Sequence, residues 1–505
     1  MRHRLRRYRA RRCRAASGSP AVAVALAALL SVGGCRAEPA QLQAHPNLLL
    51  IVVDTLRADR LGVYGYAAPT TPNIDAFAAD AVVYTDAVSP APFTMPAMAA
   101  MLTGHYPDRT GVVKHSRQFI LDTPIATLAE RLAGVGYRSA AVVANPWLAK
   151  PEMLFNRGIG RFVTRATLDL NRSHRLEAKT VTDQALLGLK GFESEPSFLW
   201  IHYMDAHMPY QPPLRLSRMF GNPAGTSTVI RLFERSRAVA QHVYFARDLD
   251  TGAVERTRDL YDASVRYVDE QIGRILEHLR THGLLDRTII AITADHGESL
   301  GDHRLYFAHD FTLYDELVRV PLIVRIPGVG AARIDTLVSP MDIVPSVCAW
   351  LHLGCQDSFD GRVLPLRRGD GTPSPTRILF GASAPLRKRY SNDPFVHMSG
   401  LDGRWTMART AEQKLIKIPI DGAAGRIRAE WQAYDLSSDA GENRNLLARF
   451  QTSRPADWPD GLAKLRASLS AWEAEMDRTR HVPAAGQTRF KKGDRRRLEA
   501  LGYLQ

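Results

Sequence analysis

Asp54, Thr94 and the pair Asp295-His296 are the residues whose types and placement could do chemistry. Asp54 follows the apolar run Leu48–Val53, and Asp295-His296 follows a second such run, Thr288–Thr293. Carboxylates with one imidazole suit calcium, magnesium, manganese or zinc. Thr94 precedes Met95-Pro96-Ala97-Met98. A proline fits the first turn of a helix, which puts Thr94 at the N-cap or beside it. There a hydroxyl meets free backbone N–H groups and the positive end of the dipole, where an anion is welcome. A cation touching that hydroxyl as a fourth ligand would lower its pKa and make it an alkoxide nucleophile. The plainer alternatives are a capping threonine and aspartates that close turns.

A third segment, FLWIHYMDAHMPY from Phe198 to Tyr210, offers His202, Asp205 and His207. In extended chain Asp205 and His207 share one side. The stretch GESLGDHRLYFAHD adds His303 and His309. Asp205, His207, His303 and His309 are candidates for a second cation, for substrate contact, or for proton transfer to a leaving group. The chemistry expected is metal-assisted attack on an anionic ester, with one or two divalent cations.

Separate strands must carry these groups to one place. Continuous apolar runs at Leu48–Val53, Ser139–Val143, Ser197–Tyr203, Thr288–Thr293 and Pro321–Arg325 read as strands covered on both faces. Between them, amphipathic stretches at Ile125–Ala133, Leu176–Leu189 and Tyr261–Leu279 read as helices. The alternation predicts an α/β domain, whose ligands gather at the carboxyl edge of the strands. Pro212 to Arg256 has no clear period and reads as an insertion over one face. Near residue 370 the composition changes at GDGTPSPTR, so a catalytic domain is expected over 47–370 and a smaller α+β subdomain over 371–505.

The chain has 505 residues, 45% hydrophobic and 23% charged, as in a globular protein with a large core. Its net charge is +14, but eight arginines lie in the first fourteen residues, leaving 14 − 8 = +6 for the rest. No basic stripe interleaved with aromatics stands out, so nucleic acid is discounted as a partner. The arginine-rich head, the apolar Ala21–Leu30 and the small residues before Cys35 make a secretory signal over 1–34. The small residues ending at Cys35 resemble a bacterial lipobox, which implies lipidation of Cys35. A tether over 35–46 would follow, with the protein anchored to the membrane of the cell envelope and facing the periplasm. Two further cysteines, Cys348 and Cys355, are too far apart for a bridge on a continuous helix. Gly354 could end the helix and fold the chain back, so a disulfide and two free thiols both remain open.

Taken together, NLLLIVVDTLRADRLGVYGY, TPNIDAFA, FLWIHYMDAHMPY, ITADHGESLGDH, RVPLIVRIPG, SPMDIVPSVCAWL and WQAYDLSSDAGENRNL resemble the sulfatase family of the alkaline phosphatase superfamily. The resemblance implies an α/β fold: a mixed central sheet flanked by helices, with a small C-terminal α+β subdomain. It also implies Asp54, Asp295 and His296 as metal ligands, with Thr94 in the nucleophile position. The expected partner is a sulfated or phosphorylated glycan, lipid or small molecule. The family's usual cysteine or serine, matured to formylglycine, is Thr94 here, and the second aspartate of the first metal motif is Thr55. Ala144-Asn145-Pro146-Trp147 stands where a Gly-Lys-Trp-His segment is expected. A threonine has no second hydroxyl with which to expel sulfate. Superfamily phosphodiesterases and phosphoryl transferases, by contrast, pass through a phospho-threonine.

Overall fold

A computed structural model describes residues 45–481, except 115–120, 122, 169, 171–175, 227–248, 357, 368–376, 385–402, 422–426 and 449–457. The signal segment, Cys35 and most of the tether, the GDGTPSPTR linker apart from Arg377, and the terminal residues 482–505 lie outside the described residues. No described helix is long and apolar enough to cross a membrane.

Among the described residues, eight strands form the central sheet: β1 (Asn47–Val53), β2 (Val82–Val88), β3 (Arg138–Val143), β4 (Arg161–Thr164), β5 (Ser197–Tyr203), β6 (Thr288–Ala294), β9 (Arg319–Arg325) and β10 (Ala332–Ile334). A small hairpin, β7 (Ser299–Leu300) and β8 (Tyr306–Ala308), lies between β6 and β9 in the chain. The order across the sheet is β10-β2-β9-β6-β1-β5-β3-β4. The run β4-β3-β5-β1-β6 is parallel, while β9 runs antiparallel to both β6 and β2. The sheet is therefore mixed, as expected. Every residue of β1, β5 and β6 is buried, because helices cover both faces and neither face can be polar.

The five expected strands form within two residues of their predicted ends. Of the helices, α3 (Leu128–Ala133) and α4 (Ala178–Leu189) match their patterns. The long helix α5 (Thr251–Thr281) starts ten residues before its expected beginning at Tyr261, inside the stretch read as an insertion. Asp250 caps it by accepting from the Ala253 N–H at 2.8 Å, and its first turns are polar, so the apolar period begins late. Strands β2, β4 and β10 were not expected; β4 and β10 are only four and three residues long.

The C-terminal piece is a four-stranded antiparallel sheet, β11 (Leu379–Ala382) to β14 (Ile427–Asp435), with β12 (Thr406–Arg409) and β13 (Gln413–Asp421) between. Helix α7 (Asp460–Thr479) buries Leu462, Leu465, Leu469, Trp472 and Met476 in the same apolar cluster as Met407, Leu415 and Ile416. That cluster also takes in Tyr106, Leu313 and Leu317 of the larger sheet's loops. Charge joins the two as well. Asp108 receives Arg404 at 2.7 Å and Arg480 at 3.0 Å, and Asp315 receives Arg409 at 3.0 Å and Lys414 at 2.8 Å. Cys348 and Cys355 are bridged, with Cα atoms 6.0 Å apart. Helix α6 (Ile343–Trp350) stops before the second cysteine, and left-handed His352 (φ 51°) and Gly354 (φ 64°) turn the chain back.

Candidate active site

Register brings the first two carboxylates together. Val53 pairs with Ala294 across the parallel β1–β6 ladder, so Asp54 and Asp295 leave adjacent strands at the same level. On the other side of β1, His202 of β5 lies opposite Val52, and Asn145 comes two residues after the end of β3. Four neighbouring strands thus deliver groups to one crevice at their carboxyl ends.

The Asp54, His202 and Asp295 side chains are all fully buried, and each offers one ligand atom within 4.8 Å of the others'. His296 Nε2 lies 3.5 Å from both Asp54 Oδ1 and Asp295 Oδ2. Its Nδ1 donates to the Gly297 carbonyl at 2.9 Å, which leaves the Nε2 lone pair facing the carboxylates. Asp295 Oδ1 accepts the His296 N–H at 2.9 Å and the Thr55 N–H at 3.3 Å. Asp54 Oδ1, Asp295 Oδ2 and both His202 nitrogens have no hydrogen-bond partner among the described residues. Burial, then repulsion from Asp295, pushes the Asp54 carboxyl well above its ordinary range; burial pushes Asp295 up to about 7. Buried acceptors that converge without donors are what a divalent cation satisfies, so these residues fit the metal the family implies.

Thr94 is the first residue of α2 (Thr94–Thr103), after an extended N-cap at Phe93. Its Oγ is 3.3 Å from His296 Nε2 and 3.4 Å from Asn145 Nδ2. Thr94 is thus the first helical residue, beside the N-cap, and its hydroxyl faces the ligand cluster. Gly297 lets the Asp295–Gly297 turn pass against the chain at Glu316. A Cβ there would lie 2.0 Å from the Glu316 carbonyl oxygen.

A second histidine layer adjoins the first. The His309 ring centre is 4.7 Å from that of His296 and 4.9 Å from that of His207. His309 Nδ1 is 3.0 Å from Glu298 Oε1, and Glu298 Oε2 accepts from Tyr210 at 3.2 Å. His207 Nδ1 is held by the Met208 carbonyl. Burial pulls the His207 pKa down to about 3 and drives that of His309 well down, so the fold favours the neutral form of both imidazoles. Asp310 Oδ1 stands 3.7 Å from His309 Nε2, and burial raises its pKa to about 8.

Asp205 and His207 do not share a strand face. The strand ends at Tyr203 and the chain turns, with the His207 N–H bonded to the Met204 carbonyl at 3.2 Å. The charge of Asp205 acts on Tyr203 and Tyr267. His303 lies apart from His309. It bonds Glu316 at 2.9 Å and the Glu442 carbonyl at 3.0 Å, and it stacks on Tyr314. Arg57 pairs with Asp59 at 2.7 Å, as two charges in one loop would.

Sequence reasoning offered His202 without giving it a role, and it passed over Asn145, Glu298 and Asp310 as site residues. In FLWIHY a histidine reads as a packed strand residue, and an asparagine two residues past a strand reads as a turn. Only the parallel β5–β1–β6 register puts His202 beside two carboxylates.

A mixed sheet with metal-type ligands and a helix-borne hydroxyl at its carboxyl edge is an arrangement suited to attack on charged esters. The family model "Sulfatase" matches residues 46–353, more than half of the chain. The chain belongs to the sulfatase family. Human arylsulfatase A is 28% identical over 450 residues, covering 81% of this chain and 85% of that one. A multifunctional alkaline phosphatase superfamily protein of Trinickia caryophylli is 25% identical over 425 residues, covering 69% and 82%. The fold matches a structure solved with D-glucosamine-2-N,6-O-disulfate (TM-score 0.66, 19% identity, 86% and 98% covered). It also matches the phosphonate monoester hydrolase of Agrobacterium radiobacter (TM-score 0.64, 22% identity, 86% and 95% covered).

Proposed function

We propose that this chain is a metal-dependent hydrolase of sulfate or phosphate esters in which Thr94 is the nucleophile. The observation that carries the reading is the Thr94 hydroxyl 3.3 Å from His296 Nε2, beside buried carboxylate oxygens that lack donors. Asp54, Asp295 and His296, joined by His202, would hold one divalent cation, of which calcium, manganese, zinc and magnesium all suit the donors. Bound there, it would supply Lewis-acid charge to the reacting oxygens. Thr94 attacks the sulfur or phosphorus, the bond to the alcohol oxygen breaks, and water then hydrolyses the Thr94 ester to release sulfate or phosphate and restore the hydroxyl. The proton lost by Thr94 ends on the departing alcohol, carried by the neutral imidazole of His309 or His207. Relatives and neighbours that act on sulfated sugars and phosphonate esters support an anionic ester substrate.

The second reading is a phosphodiesterase or phosphoryl transferase acting on an envelope lipid or glycan. Thr94 itself favours it, since a threonine ester of phosphate can be passed on whereas formylglycine chemistry is closed to it. The two readings separate when the purified full chain, supplied with calcium or manganese, meets p-nitrophenyl sulfate and bis-p-nitrophenyl phosphate. Turnover of sulfate supports the first and turnover of the diester alone the second. No turnover of either, with metal bound, overturns both.

We further propose that Cys35 is lipidated and that the mature protein faces the periplasm on a membrane anchor. The basic head, apolar core and Cys35 support this, and the Cys348–Cys355 bridge fits an oxidising compartment. Labelled palmitate should enter the wild-type chain and be lost in Cys35→Ala; equal labelling of both overturns it.

A further inference from the structure

Asn145 lies at the centre of the cluster, fully buried, with its amide fixed from both ends. Its Oδ1 accepts the Trp147 N–H at 2.9 Å and the Leu148 N–H at 3.5 Å. Nδ2 therefore has to face inward, where it donates to Asp54 Oδ2 at 2.7 Å and reaches Thr94 Oγ at 3.4 Å. The reversed amide would set an oxygen against the Asp54 carboxylate and an NH₂ against two backbone N–H groups, so the assignment is decided by chemistry. A contact of 3.4 Å to a neutral hydroxyl is weak, but the same donor gains strength as the oxygen acquires charge. A donor placed before the charge appears lowers the barrier without reorganising. His296, also at hydrogen-bonding distance from the hydroxyl, is occupied as a ligand in the reading above.

We propose that Asn145 is a catalytic residue whose Nδ2–H stabilises the negative charge that Thr94 Oγ carries once its proton leaves, so that more of it is the alkoxide that attacks. The role rests on the reading of Thr94 as nucleophile. In that step the bond from Oγ to sulfur or phosphorus forms and the bond to the alcohol oxygen breaks. The threonine proton leaves with the alcohol, and Asn145 itself exchanges no bond. The substitution Asn145→Asp removes the donor, with a carboxyl group added beside Asp54. It keeps the size and the Oδ1 acceptor for Trp147 and replaces Nδ2 with an oxygen. The full chain with calcium or manganese is mixed with bis-p-nitrophenyl phosphate or p-nitrophenyl sulfate. The nitrophenolate burst and the mass of the Thr94 peptide then report adduct formation. Asn145→Asp should slow the burst about 10²-fold or more, with KM little changed and metal affinity by calorimetry not weakened. Asn145→Ala, which also gives up the loop anchor, should slow it similarly and melt earlier. A wild-type burst in Asn145→Asp overturns the role. Thr94→Ala separates the two claims. If it turns over normally, the nucleophile reading falls and the Asn145 role with it. If it is inert while Asn145→Asp keeps its burst, only the Asn145 role falls.

Discussion

At the residue scale the informative groups are those the fold holds at a cost. Asp54 and Asp295 leave neighbouring strands at one level, fully buried, with one oxygen each lacking a donor. Without a cation both carboxyls are pushed upward, Asp54 by burial and then by Asp295, Asp295 by burial. Removing one charge should relieve this. Asp54→Asn is expected to raise the metal-free protein's stability by about 1–3 kcal/mol and to abolish stabilisation by added calcium or manganese. Thermal melts of both proteins, with and without the ion, check both parts. In the wild type, an ion at about 100-fold its Kd should add about 2.7 kcal/mol. A shift in the variant as large as in the wild type would remove Asp54 from the ligand set. At Thr94 the expectation differs for two substitutions. Thr94→Ser keeps the hydroxyl and should retain turnover, whereas Thr94→Ala should lose about 10³-fold or more in kcat. Rates alone decide this pair, since both side chains fit the space.

At the element scale, turns do the positioning. The turn Asp295–Gly297 aims His296 by bonding its Nδ1 to the Gly297 carbonyl, and the Gly297 N–H is fixed to the Leu317 carbonyl at 2.8 Å. Gly297→Ala would press a Cβ to 2.0 Å from backbone at Glu316, which cannot yield as a side chain does. It should destabilise by about 1–3 kcal/mol and weaken metal binding together, seen as a lower Tm and a raised Kd for the ion. Normal metal affinity in the variant would show that the turn does not aim the ligand. The segment bearing His309 is strained more openly. Gly301, His303, Arg304, Phe307 and Asp310 all have positive φ, and four of these five are not glycine. Such conformations persist only where surrounding contacts over-determine them. Here those contacts include the His303 bonds, the Arg57–Asp302 ion pair at 2.6 Å and the Glu298–His309 bond.

At the scale of the whole molecule, charge ties the C-terminal sheet to the loops that form the site. His303 is the titrating member with a clear sign. Burial works against its charge, but the hydrogen bond and charge of Glu316 outweigh it and hold the pKa at about 9. A histidine whose folded pKa exceeds its unfolded value of about 6.5 stabilises fully below that lower value. The contribution then fades as pH rises through about 9. Stability should therefore decline between about pH 6.5 and 9 by of the order of 1–3 kcal/mol, and His303→Gln should flatten that decline. Urea unfolding across the range measures it; an unchanged slope in the variant would assign the loss to other groups.

The sequence by itself determined the apolar strands, the α/β layering and, through the order of its motifs, the likeness to the family, and it singled out Asp54, Thr94, Asp295 and His296 as candidates. These signals are local: a run of β-branched and leucine residues, a carboxylate just beyond it, a proline one turn into a helix. The long helix was legible only from its apolar half, because its first turns are polar and capped by Asp250. What tertiary structure decided is which side chains meet. Parallel register sets His202 beside two aspartates, the turn after Tyr203 parts Asp205 from His207, and the loop after β3 aims Asn145 at Thr94. None of these follows from spacing along the chain. Strand order and turn direction are settled by packing among elements far apart in sequence, and a single residue of slip exchanges one face for the other.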